Sequence, residues 1–305
     1  MWSQKRDIPA LEPLSAKLYN LHRTGTRQRA ELPRKTCHSE RLWTSVCRWL
    51  FIATLLQPVP VSGEPIPVRY PEGTTHGFLA VCTLEGKLLA SGELTEVLHG
   101  DQVVSHLVFR FKDGSVDDET AVFFQRGTFR LISDHHIQKG PSFPHPTNVF
   151  IDACTGQVTV RYQDKDREKV DTEHLDLPAD LANGIILMLL KNILPDTKET
   201  KVSYVGAAPK PRLVHLAITP NGEETFSVAG ARHKATLFVA KVEIRGIVGM
   251  IAPLVGKQPA DTKVWVVHEG APAFVRADQA LYVGGPIWSV EMTSPVWPRA
   301  PNSDR

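Results

Sequence analysis

Cysteine is scarce in this 305-residue chain, with four in all. Cys37 and Cys47 fall in or before an apolar run at 49–56, which leaves Cys82 and Cys154 as the one downstream pair. So little sulfur excludes a small disulfide-stapled scaffold. An oxidising compartment would permit a single bridge, although strand-like surroundings at both positions suit small buried thiols, and the spacing fits no metal motif. Long hydrophobic runs are missing too. The apolar run, Trp49 to Leu56 (WLFIATLL), is eight residues long, whereas a spanning helix needs about 20 residues to cross a hydrocarbon core of roughly 30 Å.

Positive charge is also lacking where it would matter. Residues 1–63 hold 10 of the 35 Lys and Arg and 4 of the 33 Asp and Glu, so the rest of the chain carries 25 basic against 29 acidic residues. No basic run with interleaved aromatics remains there, which excludes nucleic acid as an expected partner. Motifs for familiar chemistry are absent as well. Gly140-Pro141-Ser142-Phe143-Pro144 lacks the second glycine of a nucleophile elbow. In Gly249 to Lys257 six residues separate the glycines rather than four, and Gln258 stands where a phosphate loop needs Ser or Thr. No EF-hand spacing or solenoid-type repeat is present.

What is present begins with a leader. Arg41 and Arg48 precede the apolar run, and Val61-Ser62-Gly63 follows it before Glu64. A positive flank, a short apolar core and small residues form the order of a secretory signal, so we expect removal after Gly63 and a periplasmic or secreted location. The forty polar residues ahead of the run are unusual for a signal, and an uncleaved membrane-anchoring segment is the lesser alternative. Leu79-Ala80-Val81-Cys82 is not a lipidation box, because Val81 is too large for its position.

Beyond Gly77, turn glycines at 86, 100, 114 and 127 separate stretches in which apolar and polar residues alternate, the pattern of a meander of long hairpins. Val103, Ser105, Leu107, Phe109 and Phe111 share one face, and Val104, His106, Val108 and Arg110 the other. Strands of about ten residues run roughly 33 Å, which suits a strongly curved sheet. After 195, strands are expected at 201–208, 213–219, 225–229, 236–244, 264–267, 273–275, 280–283 and 287–292, with Asn221-Gly222 as a hairpin turn.

One segment reads differently. His174 to Pro195, HLDLPADLANGIILMLLKNILP, predicts a helix near 178–194, with Pro178 in its first turn and Pro195 as its stop. Its apolar residues leave almost no polar face, so the expectation is near-complete burial. Seven such side chains contribute on the order of 10 to 20 kcal/mol gross, against about 1 kcal/mol lost to Gly184. The predicted fold is therefore mainly β: one curved antiparallel sheet, a half-barrel or incomplete barrel, wrapped around one long apolar helix. Residues 64–293 form this single domain, 1–63 the leader and 294–305 a loose tail.

The meander, the FRLISDHH strand, the LPADLANGI stretch and the GGPIWSVEM finish, spread over Gly77 to Thr293, resemble an uncharacterised family of exported bacterial β-rich domains of unknown function. The architecture is similar to the unclosed β-barrel with an inner helix of periplasmic lipoprotein carriers, a fold-level likeness that implies no catalytic residue.

Candidate chemistry is thin. Asp134-His135-His136 with His145 has metal-ligand residue types, but adjacent strand residues point to opposite faces, so His135 and His136 cannot chelate together. Asp117, Asp118 and Glu119 read as a solvated strand start. No catalytic residue, metal or cofactor is assigned. The unusual feature is the connection carrying Ile247, Val248, Met250, Ile251, Leu254 and Val255, which is apolar where loops are usually polar. It reads as a core-covering flap or as a surface for a lipid, an apolar ligand or a partner. With Ile185 and Leu189 these residues form the expected ligand-binding set. The leading expectation is a non-enzymatic envelope protein that binds a lipid-like or other apolar ligand in a groove beside the helix, with peripheral contact to membrane or envelope protein. The alternatives are a solid-core structural or assembly protein, and a hydrolase using Asp134 with His135 or His145.

Overall fold

The computed structural model describes residues 63–164, 167–207, 210–228, 231–243 and 259–293. Leader residues 1–62, the flap residues 247–255 and the tail 294–305 therefore lie outside the described residues.

Eight strands come first: β1 (Thr75–Thr83), β2 (Leu88–His99), β3 (Gln102–Phe111), β4 (Val116–Arg126), β5 (Thr128–Lys139), β6 (Thr147–Asp152), β7 (Gln157–Asp164) and β8 (Arg167–His174). After the helix α1 (Ile186–Asn192) come β9 (Thr200–Gly206), β10 (Arg212–Val228), β11 (Ala231–Glu243), β12 (Thr262–Val267), β13 (Ala273–Ala280) and β14 (Ile287–Met292). All join one antiparallel, unclosed sheet in the order β8-β7-β6-β5-β4-β3-β2-β1-β14-β13-β12-β11-β10-β9. Every neighbour is a hairpin partner except β1 and β14, which pair from Leu79 with Met292 to Thr83 with Trp288. Two meanders are thus stitched together, and the two strands left at the edges, β8 and β9, are those that flank α1 in sequence.

The alternation seen in the sequence is realised. Val103, Ser105, Phe109 and Phe111 turn inward and are buried, while Arg110 is exposed; Leu107 on the inward face is half-buried, and Val108 on the other face is buried too. The inward faces of strands from both meanders meet in one apolar cluster that includes Val81, Phe123, Ile151, Val158, Ile218, Phe238 and Val266. The sheet curls enough for Gln138 of β5 to donate from Nε2 to the Leu281 carbonyl at 2.7 Å, although β5 and β13 stand six places apart in the sheet.

Three expectations need correction. Asn221-Gly222 is not a hairpin turn: β10 runs through it as one 17-residue strand, with a register irregularity between Pro220 and Glu223 and Gly222 at φ +86°. A favoured turn dipeptide makes a bulge here because β11 offers partners on both sides of it. One strand, β13, runs from Ala273 to Ala280 in place of the separate strands expected at 273–275 and 280–283, and residues 281–283 lie instead in the bend and turn after it, where Gly285 N–H donates to the Tyr282 carbonyl at 3.0 Å.

The third correction is the helix. It is seven residues long, Ile186–Asn192, and so is neither the long element expected nor one that begins at Pro178. Residues 180–184 are committed elsewhere. The Asp180 carbonyl accepts from Ser203 N–H, and Ala182 N–H donates to the Ser203 carbonyl at 2.9 Å. The Asn183 side chain accepts from Val205 N–H at 2.8 Å and donates to the Val205 carbonyl at 3.1 Å. These bonds satisfy the otherwise open edge of β9, which a helix through 180–183 would leave bare. Gly184 then takes φ +66°, a conformation that breaks helical continuity and suits glycine. Packing of the segment does match the expectation in part: Leu181, Ile185, Leu189, Leu190 and Ile193 belong to the core cluster, whereas Leu194 is 39% exposed.

Candidate ligand groove and buried ionisable cluster

The end of α1 is tied to the strand-like segment that leads into β1. Asn192 Oδ1 accepts from the backbone N–H groups of Arg69 and Tyr70, both at 2.8 Å, and its Nδ2 donates to the Met188 carbonyl at 2.8 Å. Arg69 Nη1 donates to the Asn192 carbonyl at 2.6 Å. Lys191 pairs with Glu72 at 2.6 Å, and Glu72 N–H donates to Gln125 Oε1 at 2.7 Å. Upstream, the Ile66 carbonyl accepts from Phe129 N–H at 3.1 Å, and Val68 N–H donates to the Gly127 carbonyl at 2.9 Å.

Between this segment and the start of β9 lies a groove of about 410 Å³. Ile66, Ile193 and Leu194 supply its apolar wall, and Arg69, Glu199 and Lys201 its polar rim. On the rim Lys201 pairs with Glu243 at 2.6 Å and with Glu199 at 3.5 Å, and Arg69 donates to the Asn192 carbonyl. Ile185 and Leu189 do not line this groove; they are 1% and 3% exposed within the core.

A second polar assembly sits on the inner face of β4 and β5. The register pairs Asp117 with Gln138, Glu119 with His136 and Ala121 with Asp134, so alternate residues of both strands converge. His136 Nε2 donates to Asp117 Oδ1 at 2.6 Å, and Gln138 Nε2 donates to Asp117 Oδ2 at 3.0 Å. Burial by itself would lower the His136 pKa, but the hydrogen bond to Asp117 and the charges of Glu119, Asp117 and Asp134 raise it to about 9. Burial pushes the Asp134 carboxyl well above the usual carboxylate range, and nearby Glu119 adds to the rise while His136 opposes it. Burial likewise raises Glu119, against the pull of His136. Tyr204, brought in from β9, is raised by burial and by the same three carboxylates. Asp134 Oδ1 has no hydrogen-bond partner among the described residues.

This placement revises the sequence reading of the acidic triplet. Asp118 alone faces outward, where it bonds His106 at 3.0 Å, while Asp117 is buried and Glu119 shares its face. The strand's alternation makes that division, and what hid it was the absence of a local cue for which parity faces in. His135 points away from Asp134 and bonds Asn148 Oδ1 at 2.9 Å, and His145 is exposed in the proline-rich loop. The histidine that joins the carboxylates is His136. No group of three or more His, Cys, Asp or Glu side chains is arranged to hold a metal ion among the described residues. Cys82 and Cys154 are free thiols, half-buried and exposed respectively.

No family model matches the chain, and neither does any curated protein. Among solved structures it is similar to the crystal structure of a β-barrel-like protein of the domain of unknown function DUF1849 from Brucella abortus, at 9% identity and a TM-score of 0.40, covering 78% of this chain and 100% of that one. A likeness at this level assigns no role to any residue. No described helix is long and apolar enough to cross a membrane.

Proposed function

We propose that this β-barrel-like domain is an exported envelope protein that works by binding an apolar, lipid-like ligand without transforming it, and that the ligand lies in the groove at the C-terminal end of α1. The observation that carries the reading is the groove itself. Its volume of about 410 Å³ falls in the range of roughly 300 to 1,000 Å³ usual for small-molecule sites. Leu194 leaves apolar surface open in its wall, and Lys201 and Glu199 on its rim are already paired, a composition that favours an apolar chain over a highly charged solute. Ile185 and Leu189 act in this reading as packed backing for the wall. The apolar composition from Ile247 to Val255 suits contact with such a ligand, and the basic flank, apolar core and small residues before Glu64 support export.

Leu194→Ser tests the proposal, because Leu194 is exposed enough that its loss should cost no more than about 1 kcal/mol of stability. Titration with an apolar fluorescent probe should show uptake weakened several-fold with the melt nearly unchanged. Equal uptake by variant and wild type would remove the groove reading and leave a solid-core assembly protein in its place, which the core cluster shared by both meanders favours.

A further inference from the structure

Asp180 holds a buried carboxylate with one oxygen left unpartnered among the described residues. The residue is 5% exposed. Its Oδ2 accepts from Ser203 Oγ at 3.0 Å, and its Oδ1 has no hydrogen-bond partner among the described residues. A buried charge left partly unpaired is costly, so a missing donor is a specific deficiency.

Gly63 lies against this carboxylate on the side of Oδ2, the oxygen that Ser203 already reaches, with Oδ1 the open oxygen of the same group. A Cβ at Gly63 would collide with Asp180 Oδ2 and with the carbonyl oxygen of Lys201, so glycine alone fits. The Lys201 carbonyl faces the same way by strand alternation, since Ser203, two residues on, turns its own N–H and C=O outward to Asp180 and Ala182. Two oxygens, one anionic and one neutral, therefore flank the residue at which the leader is expected to be cut. Hydrolysis there would break the Gly63–Glu64 amide C–N bond, place the hydroxyl of water on the Gly63 carbonyl carbon and leave the amino group on Glu64. That ammonium carries three donors and no acceptor. It cannot wander far, because Ile66 is buried and hydrogen-bonded to Phe129, and the two residues between span at most about 7 Å.

We infer that Asp180, with the Lys201 carbonyl, is the seat for the amino terminus created at Glu64, so that removal of the leader completes the fold at the free edge of β9. The inference rests on the export reading and adds what the cut does: it replaces a tightly fitted glycine by a cation beside a buried carboxylate that has none among the described residues.

The test uses the folded full-length chain, with the site of a protease that cuts after glycine built in place of residues 58–62 and Gly63 kept, so that cutting leaves either Glu64 or a Ser-Gly extension ahead of Glu64 as the first residue. Acylation of the α-amine at neutral pH, read by mass spectrometry, should be about tenfold slower for the chain that starts at Glu64 than for the extended chain, the factor that one unit of raised amine pKa produces. Asp180→Asn should bring the Glu64 amine up to the fast rate. Equal rates for the two starts overturn the inference, and that comparison stands even if Asp180→Asn fails to fold. Amino-terminal sequencing of protein from the envelope fraction separately tests the export reading: a chain still carrying its leader would refute export without altering the labelling result.

Discussion

Replacing His136 by Gln should make the stability of the domain less dependent on pH, in a window set by one ion pair. In the wild type, Asp117 accepts from His136 at 2.6 Å and from Gln138 at 3.0 Å. Gln keeps a donor near Asp117 and removes the positive charge. Burial pulls the His136 pKa down in the folded chain, but its hydrogen bond to Asp117 and the surrounding carboxylates outweigh that and raise it from 6.5 to about 9. At 1.36 kcal/mol per unit, that shift corresponds to about 3 kcal/mol. The side chain keeps 27% of its exposure, so the figure needs no large discount for solvent screening. A base whose pKa is raised by folding stabilises fully below its unfolded value and loses that contribution as pH climbs through the folded one. The wild type should therefore exceed His136→Gln by about 3 kcal/mol at pH 6, roughly 6 to 12 °C in Tm for a domain of this size, and by little at pH 9.5. Urea denaturation of both proteins across that range is the measurement. A gap that stays constant with pH would refute the reasoning, because a loss of packing does not titrate.

Three other changes probe separate parts of the structure. Leu189→Asp puts an unpaired carboxylate into the core cluster, at a cost of several kcal/mol, and should abolish the cooperative melt; a Tm within a few degrees of wild type would show that the α1 segment is peripheral. Gly184→Ala should destabilise by more than about 1 kcal/mol in thermal melts, since a Cβ there would meet Ala121 Cβ at 2.7 Å and Asp134 Oδ1 at 2.8 Å at a φ of +66°. Burial and the charge of Glu72 raise the Glu96 pKa from 4.5 to about 6, so the wild type loses stability as pH rises through that interval. Glu96→Gln should hold about 2 kcal/mol more than wild type at pH 7 and no advantage at pH 4, and equal curves at both pH values would count against the assignment.

Sequence alone determined the elements whose signal is local. The glycines at 86, 100, 114 and 127 mark real turns, all four with positive φ, and the parity of Val103 to Phe111 names the buried face of β3, because side chains alternate in any strand wherever it packs. The same parity separates His135 from His136. Tertiary structure decided what depends on partners far along the chain. Whether Asp117 or Asp118 faces inward follows from pairing with β5, and the meeting of Asp117, His136, Asp134 and Tyr204 needs β9 to arrive from the other end of the sheet. The run from Leu181 to Leu194 is apolar enough for a long helix, yet its first turns are spent on Ser203 and Val205, because the edge of β9 needs hydrogen bonds that no local preference records. Burial of that segment was therefore written in its composition, while its conformation was set by the backbone groups it had to satisfy.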